Sequence, residues 1–203
     1  MLPSRAVVQD DCPRQRRSAM PAAERGREVR QRLLSAAVEL IPERGWPAVS
    51  TRVLAERAGV TPSVVHYHYS SLPALLNEAV VGVMRQMLAE LDGFLDAAST
   101  PAEAVDLMLA SVNQYSGTDP LSLLFIEAYL AATRDPQLRE EIATVVDGFR
   151  ERFGRWLDEH GVPEPAETAA VLVASIDGLL LHRGLGTRPN PEAVNAVLRR
   201  LLP

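Results

Sequence analysis

The chain has 203 residues, 47% of them hydrophobic and 23% charged, a composition that suits one or two globular domains and excludes a chain disordered throughout. Its only cysteine is Cys12, which excludes an internal disulfide and a thiolate metal cluster; no apolar run of the roughly 18–20 residues needed to span a bilayer is expected, which predicts a cytoplasmic protein. The net charge of −5 is unevenly spread: residues 1–70 hold 11 Arg against 7 acids (+4) and residues 71–203 hold 10 Arg against 19 (−9), so one end suits phosphate and the other does not.

Residues 1–22, with Pro3, Pro13, Pro21 and the run Arg14 to Arg17, lack any sustained period and are expected to form a disordered basic tail. From Glu24 to Arg44 the residues Val29, Leu33, Ala36, Ala37 and Leu40 recur at helical spacing, which predicts a first helix that Pro42 kinks or ends early and Gly45 stops. Trp46 is expected to plug the core beneath the next two helices.

Ser50 to Tyr69 reads as a helix-turn-helix. Ser50 caps a short helix with Val53, Leu54 and Ala58 on one side; Gly59 breaks it; Thr61 then offers a capping hydroxyl ahead of Pro62, whose missing N–H costs nothing at a first helical position. Ala55, Gly59 and Val65 supply the small residue, turn and apolar anchor of two short helices crossing steeply. Such a unit can place its second helix in a major groove. Thr51, Thr61 and Ser63 stand at helix N-termini, where free N–H groups favour phosphate, with Arg52, Tyr67 and Ser71 beside them. Pro62, Ser63 and His66 are offered to base edges. The expected domains are this unit at 23–71 and a helical region at 72–203.

A long helix is predicted from Leu72 to about Gly93, followed by helices near 101–115, 120–133, 136–160, 165–185 and 191–202, most of them announced by a capping residue before proline: Thr100-Pro101, Asp119-Pro120, Asp135-Pro136 and Asn190-Pro191. Thr100 and Glu103 fit a capping box. No segment alternates as a strand does, so the predicted fold is all-α with about nine helices.

Residues 28–80 resemble the N-terminal domain of TetR/AcrR-family transcriptional regulators, through Leu33-Leu34-Ser35-Ala36-Ala37, Leu54-Ala55-Glu56-Arg57-Ala58-Gly59-Val60, and His66-Tyr67-His68-Tyr69 leading to Ala74-Leu75-Leu76. The resemblance implies that Tyr67 and the helix N-termini grip the DNA backbone while the second short helix reads bases. It also implies a homodimer on double-stranded operator DNA, a variable ligand pocket in the C-terminal helices, and repression relieved by ligand. Two departures stand out: Ser71-Leu72-Pro73 replaces the family's usual lysine, and His66 stands where many relatives carry tyrosine.

Met108, Val112, Tyr115, Phe125, Tyr129, Phe149, Phe153 and Trp156 would line a pocket for a small hydrophobic effector, with Glu127 as its best polar residue. The small residues Ala170, Ala174 and Gly178, spaced by four, permit close helix approach; with Val173, Asp177, Leu181, Val194 and Leu198 they are expected to form a two-fold dimer interface. Burial of that stripe within one chain is the alternative. No cofactor, metal site or membrane association is expected. His66 and His68 point apart on a helix, and Asp177 with His182 lacks a serine or cysteine partner, so core or interface hydrogen bonding is the expected role of that pair. The expected function is a ligand-responsive DNA-binding regulator, a repressor. The alternative is a helical small-molecule carrier or an enzyme whose helix-turn-helix no longer binds DNA, and for an enzyme no convergent acid, base or nucleophile is found.

Overall fold

The computed structural model describes residues 22–187 and 189–202. The expected basic tail, Cys12 included, lies outside them, apart from residue 22, which opens the first helix. Among the described residues the fold is all-helical: α1 (Ala22–Arg44), a 3-10 turn (Trp46–Ala48), α2 (Thr51–Ala58), α3 (Pro62–His68), α4 (Leu72–Ala97), α5 (Pro101–Asn113), α6 (Pro120–Ala132), α7 (Pro136–Glu159), α8 (Pro165–Gly184), α9 (Pro191–Leu198) and a closing 3-10 turn (Arg199–Leu201).

Side-chain caps start most of these helices: Ser50 accepts from Val53 N, Ser71 from Ala74 N, Asp119 from Ser122 N, Asp135 from Gln137 N and Leu138 N, and Asn190 from Ala193 N. Thr100 caps α5 through Glu103 N, but the Glu103 carboxylate returns to the backbone N–H of Ser99, one residue earlier than a capping box requires. Thr61 makes no side-chain cap; its hydroxyl lies 2.9 Å from that of Ser63.

Three features differ from expectation. α1 runs through Pro42 to Arg44, because the proline sits in the last turn, where it forfeits a single hydrogen bond while Leu40 and Ile41 remain fully buried. α4 continues past Gly93 to Ala97, since Phe94 and Leu95 still pack on the core beyond it. α8 is long and apolar enough, by length and composition, to cross a bilayer, contrary to the expected absence of such a run. In the fold its Ala169, Leu172, Val173 and Ile176 are buried in the core it shares with α7.

Two apolar clusters form the interior. The first joins α1, α2 and α3 to the first half of α4, to α6 and to the start of α7, with Leu33, Leu40, Leu54, Leu75 and Leu124 fully buried, and Trp46 packs half-buried against it. The helix-turn-helix therefore shares its core with part of the C-terminal region. The second cluster gathers the end of α4, α5, the later part of α7, α8 and Leu198. Gly117 in the α5–α6 loop sits at φ 82°, and a Cβ there would lie 2.3 Å from the Gly184 backbone nitrogen, so this loop is pressed onto the end of α8. Arg183 reinforces the contact, its Nη1 donating to the carbonyls of Val112 (2.7 Å) and Tyr115 (3.3 Å).

Candidate nucleic-acid interface and ligand cavity

The reading unit is fixed from beneath. Gly59 adopts the left-handed conformation (φ 66°, ψ 38°) that ends α2, and Val60 N donates back to Ala55 O at 2.9 Å, so the chain reverses tightly into α3. Val65 anchors α3 in the first core, and Tyr69 just beyond it is also buried. The Tyr69 hydroxyl donates to Glu78 on α4 at 3.3 Å, and the Arg30 guanidinium lies 4.5 Å over its ring while pairing with the same glutamate. Burial, then the Glu78 charge, pushes the Tyr69 phenol up to about 12. This joint holds the end of α3 against α1 and α4.

With that side engaged, α3 turns the opposite one outward. Thr61, Pro62, Ser63 and His66 are exposed, and Tyr67 is 85% exposed, which for a tyrosine beside a packed helix is a side chain standing clear of the protein. His68 contacts its ring edge-on at 5.1 Å. Arg52 is exposed, with no ion pair among the described residues, whereas Arg57 is clasped by Glu39 (3.1 Å) and Glu43 (2.5 Å) and is withdrawn from phosphate. Thr51 is half-buried and Ser71 exposed, the latter's hydroxyl occupied as the cap of α4. Residues 22–70 hold 7 Arg against 5 acids (+2), so half of the +4 assigned to the N-terminal end lies outside the described residues.

The C-terminal region encloses a cavity of about 300 Å³ between α4, α6, α7 and α8. Met84, Met87 and Leu88 of α4 form one wall, Ser122, Phe125, Ile126 and Tyr129 of α6 another, Val146 and Phe149 of α7 a third, and Val173, Asp177, Gly178, Leu180 and Leu181 of α8 the last. A second depression, of about 460 Å³ and lined by Arg150, Glu151, Arg155 and Asp158, opens broadly to solvent between α7 and α8 and encloses little. The Ser122 hydroxyl is turned away to Asp119 (2.8 Å), so the polar groups left to the cavity are the Tyr129 phenol and the Asp177 carboxyl.

Of the residues expected to line the pocket, Phe125, Tyr129 and Phe149 do. Met108 and Phe153 are fully buried in the second core, Val112 is buried there with its carbonyl held by Arg183, and Trp156 stacks on His160 at 3.9 Å. Tyr115 likewise presents its carbonyl to Arg183, outside the cavity lining. Glu127 is the clearest correction: its carboxylate accepts from the Trp46 backbone N–H at 2.8 Å and lies 3.7 Å from where a Cβ on Gly45 would stand, so it faces the α1–α2 connection, on the other side of α6 from the cavity. The cavity's carboxylate is Asp177, a residue expected at a dimer interface. It forms no hydrogen bond among the described residues, and His182, its expected companion, is exposed. Asp177 is exposed where the cavity meets a groove between α6 and α7, while the walls on its inner side desolvate it; this desolvation, opposed by the Arg150 charge, pushes its carboxyl up to about 6.

Residues 33–79 match the model of bacterial regulatory proteins, tetR family, and residues 99–203 match that of the tetracyclin repressor-like C-terminal domain. The structure of the transcriptional regulator SCO7518 from Streptomyces coelicolor A3(2) superposes with a TM-score of 0.71 at 32% identity, over 86% of this chain and 98% of that one. The chain belongs to the TetR family. The HTH-type transcriptional regulator BetI of Rhizobium meliloti (strain 1021) is 26% identical over 79% of this chain and 80% of its own. The multidrug binding protein EbrR, in its complex with malachite green, is 28% identical with a TM-score of 0.62, over 86% of this chain and 98% of that one.

The residues expected at a TetR-family dimer interface divide three ways. Val173 and Leu198 are buried in this chain's own core and Val194 packs against it, while Ala170 lies between α7 and α8. Asp177, Gly178 and Leu181 border the cavity. Ala174 is exposed, and with Leu181 it continues an outward apolar stripe to which the structure adds Val171 on α8 and Leu185 just after it, with Val197 and Leu201 beyond, all exposed. The spacing of 171, 174, 178, 181 and 185 follows helical periodicity and is the signal that could have found Val171 and Leu185.

Proposed function

We propose that this TetR-family transcriptional regulator is a repressor that binds a palindromic operator as a homodimer and leaves it when a small, largely apolar molecule enters the α4–α6–α7–α8 cavity. The observation that carries the reading is the exposure of Thr61, Ser63, His66 and Tyr67 on a helix whose other side is locked by Val65, Tyr69, Arg30 and Glu78. A rigid head with a free polar face is what a major groove requires. Tyr67, Thr51, Arg52 and Ser71 hold backbone phosphates, and Pro62, Ser63 and His66 meet base edges. The cavity, and the EbrR complex with malachite green, support a small-molecule effector.

The dimer is assigned to the α8–α9 stripe of Val171, Ala174, Gly178, Leu181, Leu185, Val197 and Leu201. Side chains such as Leu185, 77% exposed, are otherwise an apolar surface without a partner. Two heads one DNA turn apart, roughly 34–36 Å, read two half-sites. A cytoplasmic location follows from that role.

Gel shift on the DNA upstream of the protein's own gene tests the whole. Wild type is expected to bind as a dimer with a steep loss of affinity on raising salt. Leu185→Arg should be monomeric in sedimentation and bind the full site poorly. Tyr67→Phe should lose about tenfold or more on every duplex alike, the value of one hydrogen bond to a charged partner (about 1.5–3 kcal/mol). Intact affinity in Tyr67→Phe on all duplexes would remove its phosphate role, and a dimeric Leu185→Arg would move the interface elsewhere.

A further inference from the structure

The cavity wall is chemically one-sided. Its surface is built mainly from methionine, leucine, isoleucine, valine and three aromatic rings, and among the described residues the one charged group on it is Asp177. That carboxyl has neither a hydrogen bond nor an ion pair among the described residues. The nearest basic side chain that faces it, Arg150, lines the adjoining groove and not the cavity, and its guanidinium is turned to Asp147 at 3.4 Å. Asp177 is exposed at the mouth of this otherwise apolar cavity, so its charge is available to whatever enters there.

The rings reinforce the sign. Phe125, Tyr129 and Phe149 present aromatic surface to the same space, with the thioethers of Met84 and Met87 across from them. Aromatic faces and a carboxylate both attract positive charge. An anion would meet a negative wall with no basic residue on it. A neutral apolar molecule would fill the volume but leave Asp177 desolvated further and still unpaired.

We propose that the effector is a lipophilic cation, an amine or quaternary ammonium on an aromatic or aliphatic body, with its charge at Asp177 and its body against Phe125, Tyr129 and Phe149. This assignment rests on the reading of the cavity as the effector site. The volume of about 300 Å³ admits a cationic head carrying a single ring or a short chain.

Equilibrium dialysis of the full chain at pH 8 against three probes tests it: benzyltrimethylammonium, its uncharged isostere neopentylbenzene, and 3-phenylpropionate. The cation should bind saturably at one site per protomer, the isostere about tenfold more weakly, and the anion not at all. Asp177→Asn should weaken the cation about tenfold and leave the isostere unchanged, and Asp177→Glu should recover part of the loss. Equal binding of cation and isostere, an Asp177→Asn protein that holds the cation as wild type does, or no binding of the cation would each overturn the assignment. Should Asp177→Asn fail to fold, the ranking of the three probes on wild type decides alone. Operator release is read separately by gel shift. A cation that binds through Asp177 without releasing DNA would leave the charge assignment standing and remove the regulatory reading; release by the isostere as readily as by the cation would do the reverse.

Discussion

Around the helix-turn-helix, side chains are tied to partners: Ser50 caps α2, Tyr69 is held by Glu78 under Arg30, and Arg57 is gripped by two glutamates above fully buried leucines. Between α4, α6, α7 and α8 the packing stops short, leaving about 300 Å³ and a carboxylate without a partner among the described residues. A head that must match DNA needs one shape, and close packing supplies it. A region that must answer to a ligand needs room and an unmet charge, and it holds them at some cost in stability. The two regions meet on α6, which gives Leu124, Ala128 and Glu127 to the first, Ile126 and Tyr129 to the second, and Phe125 to both.

The sharpest way to break this comparison uses two neighbours on that helix. Leu124 is fully buried in the first core, so Leu124→Ala should cost about 2–5 kcal/mol, the range for a leucine removed from a packed interior. Phe125 borders existing empty space, and Phe125→Leu should cost under about 1.5 kcal/mol while changing effector affinity. Urea unfolding at matched protomer concentration measures both. Equal costs would mean that the cavity is filled or collapsed in solution and that the contrast between the regions is false.

Glu127 tests how the regions communicate. It is the side chain through which α6 holds the backbone N–H of Trp46, at the turn from α1 toward the reading unit. Glu127→Ala should cost about 1–2 kcal/mol, because Trp46 N–H is left in a half-buried site without its acceptor. Glu127→Gln keeps an acceptor oxygen and should recover most of that. If the bond transmits the effector signal, Glu127→Ala should also need more effector for half-release of the operator while binding that effector with unchanged affinity. A release curve that shifts in neither variant would move transmission to α4, where the first turn, Leu72-Pro73-Ala74, is the other joint beside the head.

How legible each region is in the sequence depends on the kind of signal it carries. The reading unit is written in local backbone chemistry: a serine cap, a glycine that must adopt φ 66°, a proline at the first helical position, and Val65 as anchor. Most helices beyond it announce themselves by the same capping residue and proline. The cavity has no such writing. α6 reads Leu-Ser-Leu-Leu-Phe-Ile-Glu-Ala-Tyr-Leu, apolar on nearly every side, so periodicity does not say which face meets α1 and which meets the void, and it leaves Glu127 on the wrong one. Met108 and Phe153 show the same limit from the other side: an aromatic or methionine at helical spacing reads alike whether it fills a core or borders a hole. On α8 and α9, Val173 and Leu198 read as an interface because the second cluster that buries them is assembled from α4, α5, α7 and α8 across long separations.

The smallest effect expected isolates what the unmet charge costs. The Asp177 carboxyl is pushed up to about 6 from an ordinary value of 3.8, by burial first and against the Arg150 charge. The charged and titratable groups facing it from the neighbouring helices are Tyr129 on α6 and Arg139, Asp147 and Arg150 on α7. Because the folded pKa is the higher one, the native state holds this proton more tightly than the unfolded chain does, so Asp177 lowers stability as pH rises from about 4 to about 6 and keeps it lowered above that. Asp177→Asn should therefore be more stable than wild type at pH 7.5, by about 1 kcal/mol once allowance is made for solvent reaching the carboxyl through the cavity mouth. The advantage should shrink as pH falls through 6 and vanish near pH 4. Urea midpoints of the two proteins across that range are the measurement. A constant difference at every pH would assign the effect to shape and not to charge, and an Asp177→Asn protein less stable than wild type at pH 7.5 would mean that Asp177 has a partner in solution. A gain in stability, joined to a loss of cation affinity, is the relation expected of a residue retained for binding at the expense of the fold.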